Sequence, residues 1–464
     1  MIRVRGFEGR RVAIFGLGRS GMPAARSLAA GGAQPVLWDD DPASREAAAT
    51  EGFVVEDLRA ADWSEINALV LAPGAPLTHP EPHWTVSAAA AAGVPVIGDM
   101  ELYALALSHL AGGERPRTIA ITGTNGKSTT TALIGWMLSQ AGRDVRIGGN
   151  IGVGVLALPE VAAAAVYVLE VSSYQLDLTR TFRPDVAVLL NISPDHLDRH
   201  GTMERYVEAK RRIFANQGAG DTAVIGVDDP WSRAVLETVA STGTQSVEAV
   251  SVHQRVDSGV FADGAQLFRG GAGSVERICD LTRARTLRGR HNAQNAAAAY
   301  LAVTALGVSS DVAVEALMSF PGLAHRMEPV AHVGDVEFVN DSKATNAEAA
   351  RQAMSSYPRF RWIAGGRPKS GGIQALQDLF PRIERAYLIG EAAGEFAACL
   401  DGHAPWVISG DIRYAVQQAF EDAEASREKE VVLLSPACAS FDQFPDFEAR
   451  GEAFRAAVKA LKHP

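Results

Sequence analysis

The sequence predicts an α/β protein of three domains, each built on a largely parallel sheet, and three observations carry that reading. Apolar runs of strand length recur along all 464 residues. Most of them stop at a glycine or at a short polar cluster. Ala-rich helical stretches separate them, so successive strands are joined by crossovers that cover the faces of a parallel sheet. A chain of this length also exceeds what one hydrophobic core fills.

The first block, 1–113, opens with the apolar run 12–15, the glycine-rich turn GLGRSG at 16–21 and an Ala-rich helix. A second strand, 35–38, ends in three aspartates, and strand, turn, helix, strand is a Rossmann-like βαβ unit. A further strand at 68–71 stops at Pro73 and Gly74, and a helix begins at Asp99. Glycines and a proline at 112–116 read as a linker. The second block, 114–321, starts with the strand 118–121 and the loop GTNGKST at 123–129, the mark of a P-loop ATPase-type domain. Strands are expected at 166–169 and 186–190, an antiparallel flap over 246–280, and a buried helix over 291–306. The third block, 322–464, repeats strand-then-loop at 361–366, 386–390 and 431–436, a second Rossmann-like sheet.

Composition narrows the function classes. With 47% hydrophobic and 21% charged residues the chain is globular, and a net charge of −10 argues against nucleic acid or an anionic membrane surface as partner. Three scattered cysteines suggest neither a disulfide framework nor a zinc site. The opening residues lack the apolar core of a signal peptide, and the longest apolar stretch is broken by Asn150, Pro159 and Glu160. A cytoplasmic, monomeric enzyme without membrane insertion is expected.

Gly16, Gly18 and Gly21 follow a strand and open a helix, with Asp39 about 20 residues on, which is the setting of a dinucleotide fingerprint. Any nucleotide pyrophosphate fits such a turn, a UDP-sugar as well as NAD, and so does a purely structural tight turn. In the loop Gly123, Thr124, Asn125, Gly126, Lys127, Ser128, Thr129, backbone amides can cradle phosphates, Lys127 can reach the β and γ phosphates, and the Ser128 hydroxyl can ligate Mg²⁺. Ile121 stands where the common form has its first glycine. Glu170, at the end of the neighbouring strand, is placed like a Mg²⁺ ligand, whereas His196 reads equally as a ligand or a loop histidine. Lys210 looks like any helix-surface lysine. The NDSKATN segment at 340–346 reads as a ligand site or as a hydrogen-bonded turn, and SPACAS at 435–440, also at the end of an apolar strand, reads equally well as a ligand site or an ordinary helix start.

Taken in order, these residues resemble the Mur ligase family over essentially the whole chain. The phosphate loop alone is shared with folylpolyglutamate synthases. The segments GGNIG (148–152), EVSSYQ (170–175), DHLD (195–198), HNAQN (291–295), His325 with Arg326, NDSKATN, and SPACASFDQF continuing to Phe447, Arg450 and Gly451 point to the Mur branch that adds D-glutamate. The resemblance implies ATP-dependent joining of D-glutamate to UDP-N-acetylmuramoyl-L-alanine through an acyl phosphate, in peptidoglycan precursor synthesis. It assigns Gly16, Gly18, Arg19, Ser20, Gly21, Asp39, Asp40 and Gly74 to the UDP moiety. Asn150, Gln175 and His196 would position the muramoyl-alanine arm. The phosphate loop with Asn292, Asn295, Arg326 and Asp341 would serve ATP. Ser128, Glu170, His196 and Lys210 would serve two Mg²⁺ ions, Lys210 as a carbamate formed with CO₂. Lys127, His196 and Lys210 would be catalytic, and Lys343, Thr345, Lys369, Ser440 and Phe447 would surround D-glutamate. Arg367 departs from the family, some members of which have an acidic residue there. Exclusion of water from the acyl phosphate makes movement of the third domain a functional expectation.

Three other readings compete. A folylpolyglutamate synthase has no need of the N-terminal glycine turn and leaves residues 435–440 unexplained. A nicotinamide oxidoreductase leaves the phosphate loop without a role. A P-loop switch protein would carry a guanine-reading Asn-Lys-x-Asp motif, which the sequence lacks.

Overall fold

A computed structural model describes residues 1–110, 113–368, 371–426 and 428–461. Three sheets follow one another along the chain. The first is wholly parallel, in the order β3-β2-β1-β4-β5, with β1 Arg11–Phe15, β2 Gln34–Trp38, β3 Val54–Val55, β4 Ile66–Leu71 and β5 Val96–Ile97.

The second has nine strands in the order β14-β13-β12-β11-β10-β9-β6-β8-β7. They are β6 Arg117–Thr122, β7 Asp144–Gly149, β8 Ala165–Glu170, β9 Val186–Leu189, β10 Thr222–Gly226, β11 Ser246–Ser251, β12 Gly259–Asp263, β13 Gln266–Gly271 and β14 Ser274–Asp280. The stretch 246–280 is therefore not a separate antiparallel flap. β11 and β12 extend the parallel sheet beside β10, and only β12 to β14 run antiparallel. The glycines that suggested a flap include Gly259, which lies close against the Ala249 backbone of β11, and Gly270, which lies close against Val256 O in the loop before β12.

The third sheet runs β15-β16-β20-β17-β18-β19, with β15 Glu328–Val333, β16 Val336–Asn340, β17 Phe360–Gly365, β18 Ile383–Ile389, β19 Trp406–Gly410 and β20 Glu430–Leu434. Only β15 is antiparallel to its neighbour. Buried parallel strands need apolar residues on both faces, and β8 and β17 are buried at every position.

The chain divides into two compact units, residues 1–280 with 293–318, and residues 281–292 with 319–464. The expected domains 1–113 and 114–321 fall for the most part in the first. Ile14 and Leu28 from the first sheet layer share one apolar core with Leu156, Tyr167 and Leu189 from the second. The helix Asp99–Ser108 fastens them further with two buried carboxylates. Glu101, 2% exposed, accepts hydrogen bonds from the amides of Arg180 (2.7 Å) and Thr181 (2.9 Å) and from the Thr181 hydroxyl (2.7 Å). Asp99 accepts from Gln175 Nε2 at 3.0 and 3.2 Å. Among the described residues, no helix is long and apolar enough to cross a membrane.

Truncating Glu101 leaves three donors without their acceptor between the two layers. Glu101→Ala should lower the unfolding free energy by about 2–4 kcal/mol, read from denaturant midpoints. A change within experimental error would mean the clasp does not hold the two layers together.

Candidate active site

β6 ends at Thr122, and the chain turns through residues 123–126 into the helix Lys127–Gln140. Gly126 caps that helix at φ 87°, and a Cβ there would lie 2.4 Å from Asn295 Oδ1 and 3.1 Å from a Leu190 methyl. Only glycine fits both the backbone and the space. Ile121, in place of a first glycine, is an interior residue of β6 with no exposed surface.

Two ammonium groups converge on one carbonyl of this loop. Lys127 Nζ donates to Gly123 O at 2.9 Å and to Thr124 O at 2.8 Å. Lys210 Nζ donates to the same Gly123 O at 2.8 Å. Lys210 is not a surface lysine: it is 1% exposed, and its ammonium lies over the Tyr206 ring, 4.6 Å from the centroid. One turn apart on the helix Met203–Arg211, Tyr206 and Lys210 share the buried face. Burial, and then the Lys127 charge, push the Lys210 pKa well below the ordinary lysine value, with Asp195 and Glu170 opposing. The Tyr206 hydroxyl is 3.1 Å from Thr124 Oγ1, which also bonds the main chain of Ser193.

Glu170 ends β8, next to β6 in the sheet. Its Oε1 accepts from Asn150 Nδ2 at 2.8 Å, while the buried Oε2 has no hydrogen-bond partner. His196 stands at φ 53°, its Nδ1 3.0 Å from the Tyr174 hydroxyl and its Nε2 3.4 Å from Asp195. Burial lowers its pKa; Asp195 opposes this and the Lys127 and Lys210 charges add to it. Lys127, Glu170, Asn150, His196 and Lys210 thus gather around the phosphate loop, with Ser128 and Thr129 in the first turn of its helix.

Gln175 is placed differently. It is 4% exposed, its Nε2 is held by Asp99, and its Oε1 accepts from the Ser172 amide and hydroxyl, closing a capping box on the short helix Ser173–Asp177.

The N-terminal glycine turn sits between β1 and the helix Gly21–Ala30. A Cβ on Gly21 would lie 1.9 Å from Gly16 O, so the third glycine permits close packing of strand and helix. Asp39 Oδ2 accepts from the Leu17 amide at 2.6 Å and Oδ1 from the Asp41 amide, so this carboxylate holds the turn itself. Asp40 is paired with Arg59 at 3.3 Å and faces His83 at 3.7 Å. Arg19 donates to Gly152 O at 2.6 Å. Ser20 precedes the helix without capping it through its side chain, and Gly74 follows β4 with open space where a Cβ would stand.

In the second unit, Asp341 follows β16 and is buried, accepting from Ser435 Oγ at 2.9 Å and the Met327 amide at 3.2 Å. Burial pushes its carboxyl up to about 7, against the pull of Arg326. Arg326 has a buried Nε without a hydrogen-bond partner. Lys343 lies over the Phe447 ring at 5.4 Å, bringing together two expected D-glutamate residues 104 positions apart. The Thr345 amide bonds Lys343 O, and Ser440 is buried. Residues 435–440 are not a helix start; the next helix begins at Phe447. Asn292 Nδ2 donates to Arg288 O at 2.9 Å. Arg367 bridges the main chain of Ala439 and pairs with Glu391 at 3.5 Å. Lys369 lies outside the described residues.

Comparison with known proteins places the chain in a family. Residues 121–303 match the Mur ligase middle domain. A Caulobacter vibrioides protein named UDP-N-acetylmuramoylalanine–D-glutamate ligase is 62% identical over 461 residues, 99% of this chain and 98% of its own length. One of the same name from Agrobacterium fabrum is 53% identical, over 100% of this chain and 97% of its own. The chain belongs to the UDP-N-acetylmuramoylalanine–D-glutamate ligase family of Mur ligases. Solved structures share the fold at lower identity. The UDP-N-acetylmuramate-alanine ligase of Thermotoga maritima superposes with a TM-score of 0.57 at 16% identity, over 97% of this chain and 99% of that one. MurF from Acinetobacter baumannii gives 0.58 at 18%, over 100% and 93%.

Two buried residues near these loops, His200 and Arg450, had no role in the sequence reading. His200 is buried, with Nε2 3.0 Å from Ser173 Oγ and its ring against Tyr174 and Tyr206. Burial, then Arg199, take its pKa down to about 4, so it is a neutral spacer at physiological pH. Arg450 is 1% exposed and bonds Ser342, Cys438, Gly365 and Ala439. The available signal was its place in the motif ending at Gly451.

Gly126→Ala should weaken ADP binding by at least about tenfold, because a Cβ meets both an unfavourable φ and the Asn295 side chain. Calorimetric titration checks this; unchanged affinity would mean the loop is not the nucleotide site.

Proposed function

We propose that this chain is the cytoplasmic ligase that joins D-glutamate to UDP-N-acetylmuramoyl-L-alanine with hydrolysis of ATP to ADP and phosphate. The convergence of Lys127 and Lys210 on Gly123 O beside the unsatisfied Glu170 Oε2 carries the reading. A P-loop helix N-terminus with the Lys127 cation, a second buried lysine and an acidic residue suits a nucleoside triphosphate and its metal. A nicotinamide oxidoreductase needs none of these groups.

The donor set fits magnesium. Glu170 Oε2 is a buried carboxylate oxygen with no other use, and Ser128 supplies a hydroxyl. Among the described residues no three His, Cys, Asp or Glu side chains form a ready cage. Magnesium is commonly held by one or two carboxylates plus substrate phosphates. His196 and a carbamate on Lys210 would complete the protein's share for two ions. When bound there, magnesium neutralises charge on the transferring phosphoryl group. The pKa of Lys210, lowered by burial, supplies the neutral amine that CO₂ requires.

Lys127 orients the γ-phosphoryl group for attack by a carboxylate oxygen of the alanyl arm, and ADP leaves. The amine of D-glutamate then attacks the acyl carbon, loses a proton, and the tetrahedral intermediate expels phosphate. The N-terminal Rossmann-like domain, 1–113, would hold the UDP through Arg19, Ser20, Asp40 and the glycine turn. Asn150 and His196 would meet the muramoyl-alanine arm, while Gln175 would act from behind by fixing the loop after Glu170. The central domain, 114–321, would hold ATP with its phosphate loop and Asn295. In the C-terminal domain, 322–464, Arg326 and Asp341 would serve ATP, together with Asn292 near the domain boundary, and Lys343, Thr345, Ser440, Phe447 and Lys369 would serve D-glutamate.

Phosphate release measured over a panel of UDP-muramoyl substrates and amino acids tests the reaction. Turnover confined to the L-alanyl nucleotide with D-glutamate is expected, and turnover with folates or NADH instead would refute it. Lys210→Ala should be nearly inactive and regain part of its rate with added formate or acetate. If Lys210→Arg matches wild type, the carbamate has no place in the mechanism.

A further inference from the structure

Asn191 follows β9, in the polar run that also holds Asp195 and His196, and the chemistry described above leaves it unused. The last rung between β6 and β9 pairs Thr122 with Leu189, and one more main-chain bond joins Leu190 N to Thr122 O. Beyond that the chains diverge, yet the contact continues. Thr124 N donates to Asn191 O at 2.9 Å. The Asn191 side chain then takes both polar groups of Asn125: Oδ1 accepts from the Asn125 amide at 2.9 Å, and Nδ2 donates to the Asn125 carbonyl at 3.2 Å. A side-chain amide has the same donor–acceptor pair as a peptide, so it prolongs the ladder by one rung where backbone cannot.

The orientation of that amide is set from outside the loop. Asp228 accepts from Ser251 Oγ at 2.6 Å and the Val252 amide at 2.9 Å. Gln294 turns its Nε2 to Asp228 at 3.5 Å, which aims its Oε1 at Asn191. Asn191 Nδ2 donates to that oxygen at 2.9 Å, leaving Oδ1 for the Asn125 amide. The next residue, Asn295, lies against Gly126. Donor and acceptor alternate without a break from a carboxylate to the phosphate loop.

We infer that Asn191 is a positioning residue for nucleotide phosphates, its polarity fixed by the relay Asp228–Gln294–Asn191, so that residues 124 and 125 are held in register before ATP arrives. The inference rests on the loop being the ATP site and adds how that loop is kept in shape. It assigns no contact between Asn191 and substrate. An unrestrained loop would spend binding energy on ordering itself, so the cost of losing the relay falls on nucleotide affinity.

Asn191→Asp is the discriminating variant. It keeps the acceptor for the Asn125 amide but sets an oxygen against Asn125 O and Gln294 Oε1. ADP affinity by calorimetry and KM for ATP should weaken by about tenfold. The Kd for UDP-N-acetylmuramoyl-L-alanine and the melting temperature should stay near wild type. Gln294→Leu, which frees Asn191 to turn, should weaken ADP binding in the same selective way but less. ADP affinity within twofold of wild type in Asn191→Asp would overturn the relay. So would a parallel loss of UDP-substrate affinity and melting temperature, which marks a merely structural role. If wild type itself binds no ADP, the nucleotide-site reading fails first and the relay with it.

Discussion

The Gly123 carbonyl oxygen receives two ammonium groups, and much of the first unit is arranged around that crowding. Two like charges on one acceptor repel strongly where water is excluded, and Lys210 has 1% of its surface exposed. Burial and the Lys127 charge therefore press Lys210 toward its neutral form, with Glu170 and Asp195 opposing and the Tyr206 ring facing the nitrogen. Tyr206 also bonds Thr124, so the helix Met203–Arg211 and the phosphate loop are docked as one piece.

Sheet order makes the convergence possible. β9, β6 and β8 are adjacent, so the loops that leave their carboxyl ends, carrying residues 190–196, 123–126 and 170–175, lie side by side. The two strands that flank β6, β9 and β8, are not its neighbours in sequence. Crossover helices bring strands from far along the chain into contact, and the functional residues come with them.

That distinction separates what could be read in advance from what could not. The glycine turns at 16–21 and 123–129 announce themselves because backbone approach and positive φ demand glycine locally. The three sheets were legible from apolar runs, since strands buried on both faces can hardly be written otherwise. Lys210 was opaque to composition, as its partner lies 87 positions away; only the resemblance named it. Asp99 and Glu101 look like ordinary acids in the first turn of a helix, where the dipole favours them. Their burial against residues 175–181 is a tertiary fact. The parallel placement of β11 and β12 was missed for a similar reason: short glycine-broken runs carry no signal of which neighbour they join.

The second unit meets a related problem with different chemistry. Its candidate site residues Lys343, Thr345 and Ser440 sit on loops leaving β16 and β20, and loops with free carbonyls tend to drift. Arg450 reaches Ser342 Oγ at 3.0 Å, Ser342 O at 2.8 Å and Cys438 O at 3.0 Å, with Gly365 O and Ala439 O at 3.4 Å. One planar guanidinium therefore ties three loops together, a task that needs five donors in a fixed fork and that a lysine could not perform. All five acceptors are carbonyls or a hydroxyl, so none of these bonds cancels the charge with a carboxylate. Lys210 follows the same rule, with its ammonium on a carbonyl rather than in an ion pair. In each unit a buried basic side chain organises loops through main-chain oxygens; Arg450 does so as a cation, whereas burial readies Lys210 to lose its proton.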